Sequence, residues 1–183
     1  MSRAPQLDPG AMDEHQKKAY QAIVDGPHGR IVGPYMAWLQ SPELCIRARN
    51  LSEYIRFNSR LPKHLSELAI LIAGRHWKAE YEFYAHSKLG REAGLSEEVI
   101  RALAEKRRPD FKNEDEEIIY NFCTEMFETN RIGDATFARA EKAFGLPTVT
   151  DLVAVIGYYS LVSMTLNAFQ IPLPPGEKSP FPD

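Results

Sequence analysis

Residues 152–171 run for 20 positions without a charged side chain. A helix of about that length spans a bilayer, so the stretch must cross a membrane or be covered by protein. Ser160, Ser163, Thr165, Asn167 and Gln170 are scattered through it, and Tyr158 and Tyr159 stand near its middle. Tyrosines of spanning helices gather at the two interfaces instead. The expectation is therefore a helix over 148–169, buried in a protein core or a subunit interface.

The rest of the chain reads as helices that could supply such cover. Asp13 and Ser96 are helix-start residues, Ser41-Pro42-Glu43 puts proline at a first helical position, and Gly94 and Gly145 are stops. Apolar residues recur at helical spacing, as in Ile118, Ile119, Phe122, Met126 and Phe127 over 113–130. Gly and Pro mark a loop over 26–34, and breaks fall at 59–62 and at Trp77-Lys78. No run alternates in the manner of a strand. The predicted architecture is all-α, a bundle of about seven to nine helices, in a single domain over 13–171. A flexible arm over 1–12 precedes it. A tail over 172–183 follows, whose five prolines rule out regular helix.

With 183 residues the chain can bury a real core. A formal net charge of -3 argues against nucleic acid as a partner. Lys106-Arg107-Arg108 is a short run that suits a solvated helix end. Cys45 and Cys123 stand far apart with no Cys-x-x-Cys and no metal spacing, which fits small buried residues in a reducing compartment. The first residues lack the apolar stretch of a signal peptide. The expected setting is cytoplasmic, with a small-molecule partner and no membrane.

Chemistry concentrates in Ala79-Glu80-Tyr81-Glu82-Phe83-Tyr84-Ala85-His86. Glu82 and His86 are four residues apart, so on a helix they share a face. In the first turn Glu82 would stay ionised and favour a protonated His86, a proton donor near neutral pH. The same spacing also describes an ordinary surface or interface pair. Glu67 has the apolar neighbours Leu65, Leu68, Ala69, Leu71 and Ile72. If buried, it needs a partner or its pKa rises, and either makes it a candidate acid or base; otherwise it edges an amphipathic helix. Arg75 could clamp a substrate carboxylate and His76 could be a second acid–base group, or both could simply suit a helix C-terminus. His15, His28 and His64 receive no role. No nucleophile elbow, phosphate loop, dinucleotide fingerprint or H-E-x-x-H is present.

Glu67, the "AEYEFYAH" run at its fixed distance, and Gly94-Leu95 resemble the alkylhydroperoxidase-D-like superfamily, and within it the carboxymuconolactone decarboxylase-like family. The segments 33–43, 67–86 and 157–174 carry the resemblance over most of 30–175. The redox branch of that superfamily has a Cys-x-x-Cys pair, a His four residues later and a Glu in the preceding helix. By resemblance the Glu falls on Glu67 and the His on His86, while the Cys positions fall on Ala79 and Glu82. Neither residue can supply a thiolate, so thiol peroxidase chemistry is rejected.

The resemblance then implies a decarboxylase of the branch that works without the Cys pair, metal or organic cofactor, on a carboxylated unsaturated lactone of aromatic-compound catabolism. It implies His86 as proton donor, Glu67 orienting or recharging it, and Glu82 as a second acid–base group. Arg75 is a possible carboxylate anchor. A carboxylate at position 82 repels an anionic substrate unless it is paired or protonated. A hydrolase, hydratase or isomerase on the same scaffold, or a non-catalytic helical oligomer, are the alternatives. The resemblance also implies assembly into dimers, trimers or hexamers.

Overall fold

Starts and stops legible in the chain become nine α-helices among the residues that the computed structural model describes, 2–4, 8–27 and 29–182. They are α1 (Glu14–Val24), α2 (Tyr35–Trp38), α3 (Pro42–Glu53), α4 (Lys63–His76), α5 (Glu80–Ala93), α6 (Glu97–Ala104), α7 (Glu114–Thr129), α8 (Asp134–Phe144) and α9 (Leu146–Ala168). A 3-10 turn, Pro9–Ala11, precedes α1, and a π-helical turn, Tyr54–Asn58, continues α3. No strand forms among the described residues.

The caps are chemical. Asp13 accepts from the Gln16 N–H, and Gln16 accepts in return from the Asp13 N–H, so two end groups of α1 are satisfied together. Ser96 and Asn113 cap α6 and α7 through their side chains. Helix α9 begins at Leu146, two residues before the expected start, because Pro147 falls in its first turn, where a missing N–H is no loss.

Helix α4 is the central element and packs against α5, α6, α7 and α9. Every residue from Leu65 to Gly74 is buried, as befits a helix apolar on all sides. Helix α9 is long and apolar enough to cross a membrane by length and composition, yet 56% of its most apolar stretch is buried within the chain. Leu152, Val155, Tyr159, Val162 and Leu166 enter the core, whereas Val153 and Met164 are exposed.

The hairpin of α4 and α5 positions the chemistry. Helix α4 ends with Lys78 in the left-handed region (φ 52). The Lys78 N–H donates to Arg75 O, and the Ala79 N–H donates to Gly74 O at 2.8 Å, a closure that turns the chain back at once. Ala79 is fully buried and stands at the N-cap of α5. At Gly90 an added Cβ would lie 3.1 Å from Leu95 Cδ1, 3.5 Å from Leu71 Cδ1 and 3.8 Å from Glu67 Cβ. The missing side chain lets α5 close onto α4 beside Glu67.

Both terminal segments dock. Arg3 donates its backbone N–H to Phe169 O and its guanidinium to Ala168 O at the end of α9. Ala4 and Met12 are buried. In the tail, Glu177 accepts from Tyr84 Oη, Ser179 donates to Glu80, and the Phe181 ring packs edge-on against Phe83.

Candidate active site

Glu67 lies in the second turn of α4, Glu82 in the first turn of α5 and His86 one turn later. The hairpin brings all three together. His86 Nδ1 is 2.6 Å from Glu67 Oε2, and His86 Nε2 is 3.0 Å from Glu82 Oε1. Exposure is 4% for each glutamate and 6% for the histidine, so the surface-pair reading of Glu82 and His86 falls away. The contact with Glu82 is an ion pair by distance, but Glu82 Oε1 completes no hydrogen bond among the described residues. It is the looser end of the relay, and the short bond to Glu67 is the tighter one.

Burial alone would push the imidazole towards its neutral form. The charges of Glu82 and Glu67, with the hydrogen bond to Glu67, outweigh that and raise the His86 pKa to about 9. At neutral pH the ring is therefore an imidazolium, with both ring nitrogens as donors. Tyr159 of α9 packs edge-on against it at 5.0 Å between centroids. Burial raises the Tyr159 hydroxyl well above its usual range, so it remains a phenol.

Glu67 is the member of the relay that lines a cavity. Glu67 and Ser66 line a cavity of about 220 Å³, closed by Ile55, Arg56 and Phe57 of the π turn and by Ser59, Leu61 and Lys63. That is smaller than the roughly 300–1,000 Å³ of drug-sized ligand sites, so a small molecule would fill it. His86, bonded to Glu67, and Glu82 are not part of the lining. A second cavity of about 170 Å³ between α7 and α8 contains none of the three.

Arg75 and His76, expected as substrate-contacting residues, are not among the residues that line the Glu67 cavity, and both have partners elsewhere. They end α4, eight and nine residues beyond Glu67, about 12 Å or more from it along the helix at roughly 1.5 Å per residue. The Arg75 Nε donates to Ala104 O at 3.0 Å, and its guanidinium lies over the Phe181 ring. His76 is exposed and stacks on Phe127 with centroids 4.3 Å apart. Both serve the helix end and its packing.

The two cysteines are buried and unpaired as thiols. Burial pushes the Cys45 thiol up to about 11 and the Cys123 thiol up as well, which disfavours the thiolate that such chemistry needs. His28 lies outside the described residues. Among the described residues no group of three or more His, Cys, Asp or Glu is arranged to hold a metal ion.

Arg56, Lys63 and Tyr159 are the site residues that sequence reasoning misses. A π turn has no sequence signal distinct from a helix end, so nothing aims Arg56 at a cavity in advance. Tyr159 was open to inference, as one of two tyrosines in the middle of the uncharged run. No protein-family model matches the chain, and no curated protein matches it.

Proposed function

We propose that the chain is an acid–base enzyme that works by proton transfer without a cofactor, as a carboxy-lyase on a small carboxylated conjugated lactone or a related intermediate of aromatic-compound catabolism. The observation that carries this reading is the buried Glu67–His86–Glu82 relay with Glu67 at the wall of a small cavity. A buried imidazolium beside a cavity is a proton reserve with a way out, which a purely structural ion pair does not need. The motif resemblance to the carboxymuconolactone decarboxylase-like family supports the same reading, and so do Ala79 and Glu82 at the two thiol positions.

The geometry suggests an order that differs from the one the resemblance implies. Glu67 is the group in reach of a substrate, and His86 recharges it from behind. In the reaction the bond between the substrate carboxylate and its carbon breaks and CO2 leaves. The electron pair passes into the conjugated carbonyl, and Glu67 delivers a proton to carbon from the pool it shares with His86. Solvent then restores that proton. The imidazolium offsets one of the two glutamate charges, which lessens the repulsion that a lone carboxylate at position 82 would exert on an anionic substrate. A hydratase, hydrolase or isomerase would use the same relay and differ in releasing no CO2. Assembly as a homo-oligomer and a cytoplasmic setting belong to the same proposal.

The test is a panel of small unsaturated lactone carboxylates assayed for CO2 release with wild type, Glu67→Gln and His86→Ala. Turnover is expected from wild type, reduced by roughly 10²–10⁴-fold in each variant. Turnover that survives both changes contradicts the relay, and turnover without CO2 moves the reading to the alternatives.

A further inference from the structure

The Glu67 cavity has a wall that the relay does not use. Its far side is the π-helical turn Tyr54–Asn58, which carries Arg56. Such turns occur often at functional sites, because the wider turn re-aims side chains away from the helical register. This one is held from both ends by a single buried acid. Asp151 of α9 accepts from Tyr54 Oη at 2.9 Å and from the Arg60 N–H at 2.8 Å.

The arginines flanking Arg56 are spoken for. Arg49 pairs with Glu53 at 3.2 Å and Arg60 with Asp151 at 3.5 Å. Arg56 is half-buried and has no acid within ion-pair reach among the described residues; its nearest aromatic partner is the Phe57 ring, at 5.5 Å. Its charge reaches inward, because it acts on the hydroxyl of Tyr159, the residue packed against His86. Lys63 adds a second cation to the lining, with Ser59 and Ser66 as neutral hydrogen-bonding groups. A cavity with Arg56 on the π turn facing the buried acid Glu67, and Lys63 one turn before Glu67 on α4, suits a molecule with an anionic end and a reacting end.

We propose that Arg56, assisted by Lys63, is the anion anchor of the Glu67 cavity, and that the ligand it selects is a small organic monocarboxylate. The inference rests on the proposed acid–base reading for what happens at Glu67, but the anchor itself stands on the cavity alone. The planar guanidinium fork matches a carboxylate edge to edge. A doubly charged phosphate would bring more negative charge towards Glu67 and Glu82 than one fork offsets. Arg56 is thus a specificity-determining residue, and it takes the carboxylate-holding part for Arg75, which is engaged with Ala104 and Phe181 and does not line the cavity.

The test uses crotonate as probe, with crotonamide as the uncharged isostere and inorganic phosphate as a third arm, titrated into the full-length ¹⁵N-labelled protein. Crotonate is expected to shift the backbone amides of Ser59, Ser66 and Glu67. Its affinity should fall at least about tenfold in Arg56→Gln and recover in part in Arg56→Lys, as for a lost charge-assisted hydrogen bond. Crotonamide should not bind. In Glu67→Gln the crotonate affinity should be kept or improved, since a negative charge leaves the cavity. Crotonate binding to a wild type that turns over no lactone carboxylate, or turnover that survives in Glu67→Gln and His86→Ala, would therefore fault the acid–base reading and spare the anchor. The anchor is overturned if crotonate fails to bind, if Arg56→Gln binds it as wild type does, if the shifts map away from the cavity, or if phosphate binds the same amides more tightly.

Discussion

His86 is the residue on which the account turns, and its protonation couples to stability in a definite direction. The folded pKa, about 9, lies above the value of about 6.5 expected of an unfolded histidine. The stability it contributes is therefore fully present below about pH 6.5 and is lost as pH rises through about 9. Thermal denaturation of wild type should show Tm falling across that window. His86→Gln should be less stable at neutral pH and should lack that slope; a parallel slope in the variant would show that another group is responsible. At the same scale, Glu67→Gln should cut turnover by roughly 10²–10⁴-fold while leaving the fold intact, as read from kcat and circular dichroism.

Two elements hold the site, the α4–α5 hairpin and the π turn. The hairpin depends on close approach at Gly90, so Gly90→Val should clash with Leu95 and Leu71 and cost about 1–3 kcal/mol by denaturant unfolding. A neutral result would mean that the two helices are not in contact there. The π turn depends on Asp151. Replacing it with alanine removes the acceptor for Tyr54 and Arg60, an expected loss of about 1–3 kcal/mol. That change should also weaken crotonate binding through Arg56 with no change to the His86 titration, a separation that a general loss of stability would not produce. The hairpin was legible because the break at Trp77-Lys78 and the stop at Gly94 are backbone signals, and the face shared by Glu82 and His86 follows from helical spacing. Neither the π turn nor its clamp was legible. Asp151 stands one position before the uncharged run, and only the packing of α9 onto the turn gives it partners.

The whole molecule is an all-helical bundle, as the spacing of apolar residues and the lack of alternating runs predict, because helix periods and caps are local properties. What was not local was less accessible. The distance between Glu67 and His86 is set by the crossing of two helices, and the separation of Arg75 and His76 from Glu67 is set by length along α4. Each was a plausible ligand by residue type, and geometry alone divides them. The uncharged run is a core helix on one side, with Val153 and Met164 exposed on the other. A protein that buries two glutamates and a histidine must hold them by their mutual charge, since unpaired charges in such a core are costly.

The charge state of His86 in the intact protein tests that claim most directly. Imidazole ¹⁵N NMR of the histidine-labelled chain, followed from about pH 5.5 to about pH 10, reports both ring nitrogens. The account predicts two protonated nitrogens through neutral pH and a midpoint near 9, moving down in Glu67→Gln and in Glu82→Gln. A His86 that is neutral at pH 7, or whose midpoint ignores both substitutions, would contradict it.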